Sequence, residues 1–308
     1  MHGARSTKSR GGTVSGRDRG KQEALRRLVE QVDYDGIAYA LEADPDLAGG
    51  LTELLEDPSS DIVDTAATAI CNLGRGDESS VPYTIREVAP QLMALLAHHS
   101  RATRVEAVKL IADFAGRPEW DDCEEFARPF APRLVELLRD PDQEVRKLAT
   151  EAIQGIAERI EDGSGDFDIL RSAVPMLHNL LQDEASTVSA IWALRAIAHI
   201  QPAWVLGSIP ILVDVFPHEN ESANIMASAL LRYLAEHDPD RAGAAESLLR
   251  KMLSYPSRRV QENAALAMGF LGGETEDGSV QRTVTELLQD RREPIRKAAA
   301  RIISRRGA

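Results

Sequence analysis

Pairs of adjacent apolar residues recur along the chain, each followed by a short polar turn. The pairs are Leu54-Leu55, Leu95-Leu96, Leu137-Leu138, Leu180-Leu181, Val215-Phe216, Met252-Leu253 and Leu287-Leu288. Their second members are 41, 42, 43, 35, 37 and 35 residues apart. After several of the turns, apolar residues follow the i, i+3, i+4, i+7 spacing of one helix face. The pattern predicts about seven copies of a two-helix unit and no strands.

Proline and aspartate recur in phase with these pairs. Four consecutive copies carry a Pro-x-Leu triplet six residues before the second member of the pair, at Pro90, Pro132, Pro175 and Pro210. Proline suits the first turn of a helix, where its missing N–H needs no partner. Two residues after the pair stands Asp57, Asp140, Asp183 or Asp290, and the other copies have His98, His218 or Tyr255 there. An Asp in the turn can cap the helix that follows.

Two segments resemble HEAT repeats, from Leu134 to Ala149 and from Val284 to Ala299. The family pairs an Asp in the turn with an Arg near the start of the second helix. Asp140 with Arg146 and Asp290 with Arg296 match this spacing, Arg104 lacks the Asp, and Thr187 and Asn224 depart from the pattern. The resemblance covers residues 46–308 and implies an all-α, right-handed superhelix, a solenoid of about seven helix pairs. An armadillo array is a close alternative, but the two-helix period favours HEAT.

Three regions follow from this reading. Residues 1–21 contain six basic side chains against Asp18, a formal net charge of +5, and almost no apolar residues. They are predicted to be a disordered basic tail. Residues 22–45, with Leu25, Leu28, Val29 and Val32 on one face, are predicted to be a helical cap, which a repeat array needs at its ends. Residues 46–308 form the predicted solenoid.

The excess of acidic over basic residues limits the kinds of protein that this chain can be. The 308 residues include 49 acidic and 36 basic side chains, for a formal net charge of −13, and only six of the basic residues are lysines. Such a surface suits the salt-rich cytoplasm of a halophilic archaeon; a GC-rich genome that encodes arginine over lysine is the alternative. The acidic total argues against a general nucleic-acid coat. No apolar run approaches the length of a membrane-spanning helix, so no membrane segment and a cytoplasmic location are predicted.

The sequence contains no recognisable catalytic, cofactor or metal motif. P-loop, GxSxG and HExxH patterns are absent. Deoxyhypusine hydroxylase, a HEAT-repeat enzyme, binds iron through several His-Glu dipeptides, whereas this chain has only His218-Glu219. His98-His99, Trp120-Asp121-Asp122, Cys71 and Cys123 are interpreted as turn, loop and packing residues. We therefore predict no catalytic residue, cofactor or metal, and no enzyme activity.

In the HEAT family the second helices usually line the concave surface, where partners bind. Aligning these helices on their apolar positions identifies outward residues. They are Lys109, Lys147, Thr150, Glu151, Gln154, Trp192, Arg195, His199, Ser228, Arg232, Lys297, Arg301 and Arg306. Lys109, Trp192, Arg195, His199 and Arg232 are the candidate partner-binding residues, because a tryptophan flanked by arginines is typical of an interface anchor. The alternative is that Trp192 packs between repeats.

These features favour a non-catalytic scaffold or adaptor that binds another protein along its concave face. One alternative is a nucleic-acid-associated protein that uses the basic tail and the basic C-terminal helix. Cations at a helix C-terminus also complement its dipole, which explains that helix without a ligand. A second alternative is a repeat-based enzyme, such as the lyase-type proteins that attach bilins or the DNA alkylation glycosylases, but no residue set selects either.

Overall fold

The computed structural model describes residues 16–44, 47–74, 92–116, 128–159, 168–183, 185–273 and 278–306. Within these ranges the secondary structure is helical, with no strand. The chain divides into two compact units, residues 1–107 and 108–308. Helices are numbered in chain order.

The described part of the first unit consists of four numbered helices, a short helical segment and the beginning of a further helix. They are α1 (Gly16–Glu30), α2 (Tyr34–Ala43), α3 (Ala48–Leu54), α4 (Ser60–Gly74) and α5 (Arg101–Ala115), with helical residues 92–96 before α5. Helix α1 contacts α2, α3 and α4 and buries Leu25 and Val29. It begins at Gly16, so helical structure starts before the boundary predicted at residue 21. Val32 lies beyond the helix with φ of 55° and is 54% exposed, so it does not join the predicted apolar face.

In the second unit, long helices alternate with shorter ones. After α5, the helices are α6 (Ala131–Leu137), α7 (Gln143–Arg159), α8 (Asp168–Leu180), α9 (Thr187–Ile200), α10 (Pro202–Val205), α11 (Ile209–Val215), α12 (Glu221–His237), α13 (Pro239–Ala242), α14 (Glu246–Met252), α15 (Arg258–Phe270), α16 (Ser279–Leu287) and α17 (Glu293–Arg306). The second helices of successive pairs, α7, α9, α12, α15 and α17, pack each against the next. They form a continuous layer, on which the first helices pack.

The prolines show where the helix prediction was right and where it was wrong. Pro132 and Pro210 stand in the first two positions of α6 and α11, as predicted. Pro175 lies inside α8, because that helix already begins at Asp168. It therefore removes one hydrogen bond within the helix. Pro90 lies outside the described residues. Pro202 and Pro239 begin the short helices α10 and α13, which give two of the copies a third helix, as in armadillo repeats.

One side chain near the start of each of six second helices bonds the turn carbonyl six residues earlier. The donors and acceptors are Arg104 to His98, Arg146 to Asp140, Thr187 to Leu181, Asn224 to His218, Gln261 to Tyr255 and Arg296 to Asp290. Thr187 and Asn224 depart from the family pattern in residue type but make the same bond. We call these six donors the capping residues, and they fix a common register for the second helices.

His98 and His218 replace aspartate in the turns through a shared geometry. Asp140 Oδ1 accepts the Asp142 N–H at 2.9 Å. In the same way, His98 Nδ1 accepts the Ser100 N–H at 3.1 Å, and His218 Nδ1 accepts the Asn220 N–H at 3.0 Å. Burial lowers the pKa of His98, which favours the neutral ring that this bond requires. His98 is thus a structural turn residue.

Candidate partner-binding face

The capping residues show that the predicted site residues occupy equivalent positions on the second helices. Lys109 and Trp192 each stand five residues after a capping residue, Arg195 and Arg232 stand eight after, and His199 stands twelve after. Offsets of five, eight and twelve fall on one helix face. We call the positions at these offsets the outward positions.

The structure brings four of the five predicted residues onto neighbouring helices. Trp192, Arg195 and His199 lie on α9, and Arg232 lies on α12, which packs against α9. Lys109 is exposed on α5, which precedes this layer in the chain. Two other residues assigned an outward direction, Thr150 and Ser228, are buried instead.

Each of these two buried hydroxyls donates a hydrogen bond to a backbone carbonyl of its own helix. Thr150 Oγ1 donates to the Arg146 carbonyl at 2.8 Å, and Ser228 Oγ donates to the Ile225 carbonyl at 2.8 Å. Both residues stand four positions after a capping residue, one position before the exposed stripe. The outward face is therefore narrower than the alignment on apolar positions predicted.

Trp192 and Arg195 form a pair on one face of α9. Both side chains are half-buried, and the Arg195 Cζ lies 5.3 Å from the centre of the Trp192 ring. This separation is within the range of a cation–π interaction. The arginine is held beside the indole, so one apolar surface and one guanidinium are presented together.

Arg232 is the least solvated cation of the site. Its side chain is 18% exposed, and its Nη1 lies 4.0 Å from Glu236 Oε2. Burial lowers the pKa of Arg232; Glu236 opposes this shift, while the charges of Arg195 and Arg292 add to it. Its Nε is the buried side-chain polar atom that finds no hydrogen-bond partner among the described residues. Such groups are rare in folded proteins and call for an explanation.

An aromatic stack borders Arg232. The Tyr233 ring lies 4.3 Å from the His199 ring and 4.1 Å from the His237 ring, between ring centres. His199 is therefore packed against α12 while remaining exposed. Tyr233 and His237 were not predicted from the sequence, although their i, i+4 spacing on α12 places them on one face.

The outward positions of α15 are covered by α17. Leu266 and Gly269, five and eight residues after Gln261, are buried. A Cβ at Gly269 would lie 2.9 Å from Ile302 Cδ1, so any larger residue there would require the Ile302 side chain of α17 to shift. Arg301 of α17 also pairs with Glu236 of α12. The accessible outward positions of α9 and α12 are therefore interrupted at α15, whereas the equivalent residues of α17, Arg301 and Ser304, are exposed.

On the other side of α9, the outward residues of α7 pair with one another. Lys147 Nζ lies 3.8 Å from Glu151 Oε1, and Gln154 Nε2 donates to Glu158 Oε1 at 3.0 Å. These contacts are exposed and run along a single helix. The cationic and aromatic residues of α9 and α12 thus lie between a polar, acidic stripe and the covered α15.

The repeats have counterparts among known proteins. Residues 45–191 match a family model described as "Stalled ribosome sensor GCN1-like, HEAT repeats". This segment is therefore similar to HEAT repeats. No curated protein sequence matches the chain.

Solved structures share the fold of this chain. An engineered protein from the Northeast Structural Genomics Consortium is 24% identical with a TM-score of 0.61, over 94% of this chain and 75% of its own. A designed armadillo repeat protein in complex with the peptide (KR)4 is 23% identical with a TM-score of 0.57, over 73% of this chain and 99% of its own. These likenesses confirm the predicted all-α repeat solenoid.

The basic residues of α17 and of the turn before it are largely paired within the fold. Arg292 bonds Asp290 and Glu262, Lys297 Nζ lies 2.6 Å from Glu293, and the Arg305 guanidinium lies 5.5 Å from the centre of the Phe270 ring. The bonds to Asp290 and Glu262 raise the pKa of Arg292, while those from Arg292 lower the pKa of Asp290. These contacts explain the basic composition of α17 through internal partners.

The described residues show no assembled metal site. Within the described ranges, no three His, Cys, Asp or Glu side chains lie close enough together to hold a metal ion. Cys71 is buried. Trp120, Asp121, Asp122 and Cys123 lie outside the described residues. No described helix has both the length and the apolarity needed to cross a membrane.

Proposed function

We propose that this chain is a non-catalytic scaffold or adaptor that binds another protein along the outward face of its second helices. The observation that carries the proposal is the group formed by Trp192, Arg195 and Arg232 on the adjacent helices α9 and α12. A tryptophan and arginines that are only half-solvated lose little hydration on binding and anchor many protein interfaces.

The positive charges of Arg195 and Arg232 favour a partner whose surface is acidic or mixed. The designed armadillo protein with a similar fold was solved with the basic peptide (KR)4. In this chain the corresponding helical layer presents Arg195 and Arg232 at its accessible part. Complementary charge would select a partner of the opposite sign and speed its association.

Binding of a partner purified from the source organism tests the proposal. Combining Trp192→Ala with Arg195→Glu should abolish binding while the helical circular-dichroism signal stays unchanged. Arg171→Glu is the matched control, because Arg171 is exposed on the first helix α8. Unchanged affinity of the double variant would refute the proposal.

A nucleic-acid-associated role is the second candidate, motivated by the six basic residues within residues 1–21. It predicts binding that falls steeply as salt rises. Because Arg292, Lys297 and Arg305 have partners within the fold, the nucleic-acid role rests mainly on the basic residues 1–21. Gel-shift assays at low salt, with and without residues 1–21, discriminate, and no shift in either form would remove this role.

We also propose that the protein works in a salt-rich cytoplasm. The formal charge of −13 supports this, because added salt relieves repulsion among surface carboxylates. Thermal unfolding should then shift to higher temperature between low and molar potassium chloride. A melting temperature that is independent of salt would contradict it.

A further inference from the structure

Arg195 and Arg232 stand at the same level on adjacent helices. Each lies eight residues after the capping residue of its helix, Thr187 and Asn224 respectively. Helices α9 and α12 pack against each other, and the positive charge of Arg195 contributes to lowering the pKa of Arg232. Two like charges held side by side in a partly buried position are unfavourable unless an anion joins them.

The acidic side chains nearby do not supply an anion that joins Arg195 and Arg232. Glu236 approaches Arg232 only to 4.0 Å and is also paired with Arg301. Glu262 is bound by Arg258 and Arg292. The buried Arg232 Nε is left with a hydrogen to donate and no acceptor among the described residues. The geometry therefore leaves one donor and excess positive charge between α9 and α12.

We propose that Arg195 and Arg232 clamp a carboxylate side chain of an acidic, extended partner segment, with Trp192 packing against that segment one helical turn away. This inference rests on the proposed function and names the chemistry of its partner. The planar guanidinium fork matches a carboxylate and can form charge-assisted hydrogen bonds with both oxygens.

The surroundings favour a single carboxylate over a continuous phosphate backbone. Glu151 and Glu158 line the outward face of α7 on one side, and Glu236 lies on the other. A nucleic-acid strand would bring phosphates against these carboxylates. A peptide can place one acidic residue between the arginines and neutral residues over the flanking glutamates.

Fluorescence anisotropy with labelled decapeptides tests the clamp on the full chain. The probe carries a single Glu among Gly and Ser residues; matched peptides carry Gln or phosphoserine in place of that Glu. The Glu peptide should bind, and Arg195→Gln and Arg232→Gln should each weaken its binding about tenfold or more, because each removes charge-assisted hydrogen bonds. The Gln peptide should lose a similar factor. Arg171→Gln should leave the affinity unchanged. Arg195 is half-exposed, so its variant tests the clamp even if Arg232→Gln perturbs folding.

Several outcomes would overturn the clamp: equal binding of the Glu and Gln peptides, no binding of the Glu peptide, or unchanged affinity in Arg195→Gln. Binding of the phosphoserine peptide more than tenfold tighter than the Glu peptide would overturn the assignment to a carboxylate. The same variants distinguish a failure of the clamp from a failure of the proposed function. If the Trp192→Ala, Arg195→Glu chain loses its natural partner while the Glu peptide never binds, the clamp is wrong and the partner-binding face stands. If the partner is retained while the Glu peptide depends on Arg195, the clamp is supported and the proposed function fails.

Discussion

The same repeat register leads to two different surfaces within residues 108–308. At α9 and α12, the outward positions hold Trp192, Arg195 and Arg232, which stay partly accessible; we call this the open end. At α15, the equivalent positions hold Leu266 and Gly269, which are buried, and Ile302 of α17 lies against Gly269; we call α15 and the helix that covers it, α17, the closed end. Whether a second helix presents a binding surface or a packing surface therefore depends on side-chain size at one or two positions.

The largest effect is expected where the closed end is tightest. Gly269→Leu would place a bulky side chain against Ile302 and should lower the free energy of unfolding by about 1–3 kcal/mol. Chemical denaturation measures it. Gly207→Ala is the control, because no atom lies within 4 Å of the added Cβ. If Gly269→Leu is as stable as the control, α17 does not pack on α15 as described.

The next effect concerns the ion pairs of the closed end. Arg292→Ala would leave the buried Glu262 with Arg258 alone and should cost about 1–2 kcal/mol. This is below the loss typical of a fully buried pair, because the Arg292 side chain is 37% exposed and solvent screens its charge. Lys297→Ala removes a pair that is exposed on both sides and should change stability by only a few tenths of a kcal/mol. If urea unfolding shows equal losses of stability for Arg292→Ala and Lys297→Ala, the distinction between the buried and the exposed ion pair is wrong.

The acid dependence of stability should also differ between the two ends. Hydrogen bonds from Arg292 lower the pKa of Asp290. At Asp183, burial acts in the opposite direction, but hydrogen bonds from Arg146 and Ser186 still lower the pKa overall. A carboxylate with a depressed folded-state pKa stabilises the fold above its unfolded pKa of about 4, and this contribution is lost as the pH falls through the folded value.

Asp290→Asn should therefore flatten the fall in stability below about pH 4–5 more than Asp183→Asn does. Denaturation midpoints measured from pH 6 to pH 3 provide the comparison. Equal flattening by both variants, or none by Asp290→Asn, would contradict the stronger coupling at the closed end.

Glu236 links the two ends, and its removal should sharpen their difference. Glu236→Gln takes away the carboxylate that faces Arg232 and Arg301. The Glu peptide should then bind a few-fold more tightly, because less negative charge opposes it at this partly exposed site. Glu219→Gln, at an exposed turn residue, is the control. Weaker peptide binding in Glu236→Gln would show that this carboxylate helps to position the clamp.

Local pattern was enough to predict the repeats and the direction of the key side chains. Helical spacing and the Asp-to-Arg distance identified the helix pairs, and alignment on apolar positions placed Trp192, Arg195 and Arg232 on one face. The equivalence of Thr187, Asn224 and Gln261 to arginine was not predictable from residue type, because it depends on a turn carbonyl coming within reach.

The closed end could not be predicted, because it depends on contacts between distant parts of the chain. The pairing of Glu236 with Arg301 joins residues 65 positions apart and requires α17 to cross over α15. The basic composition of α17 therefore suggested a ligand surface, whereas Arg296, Arg301 and Arg305 have partners in the fold. Gly269 gave no signal in the sequence, since its role is to leave space for Ile302.

The most direct measurement is the affinity of the purified natural partner for four forms of the chain, measured side by side. These are the wild type, the open-end variant Trp192→Ala with Arg195→Glu, the closed-end variant Lys297→Glu, and Arg171→Glu on the first-helix side. If the open end is the binding face, only the open-end variant loses the partner. Retention of the partner by that variant, or its loss in Lys297→Glu, would contradict this assignment.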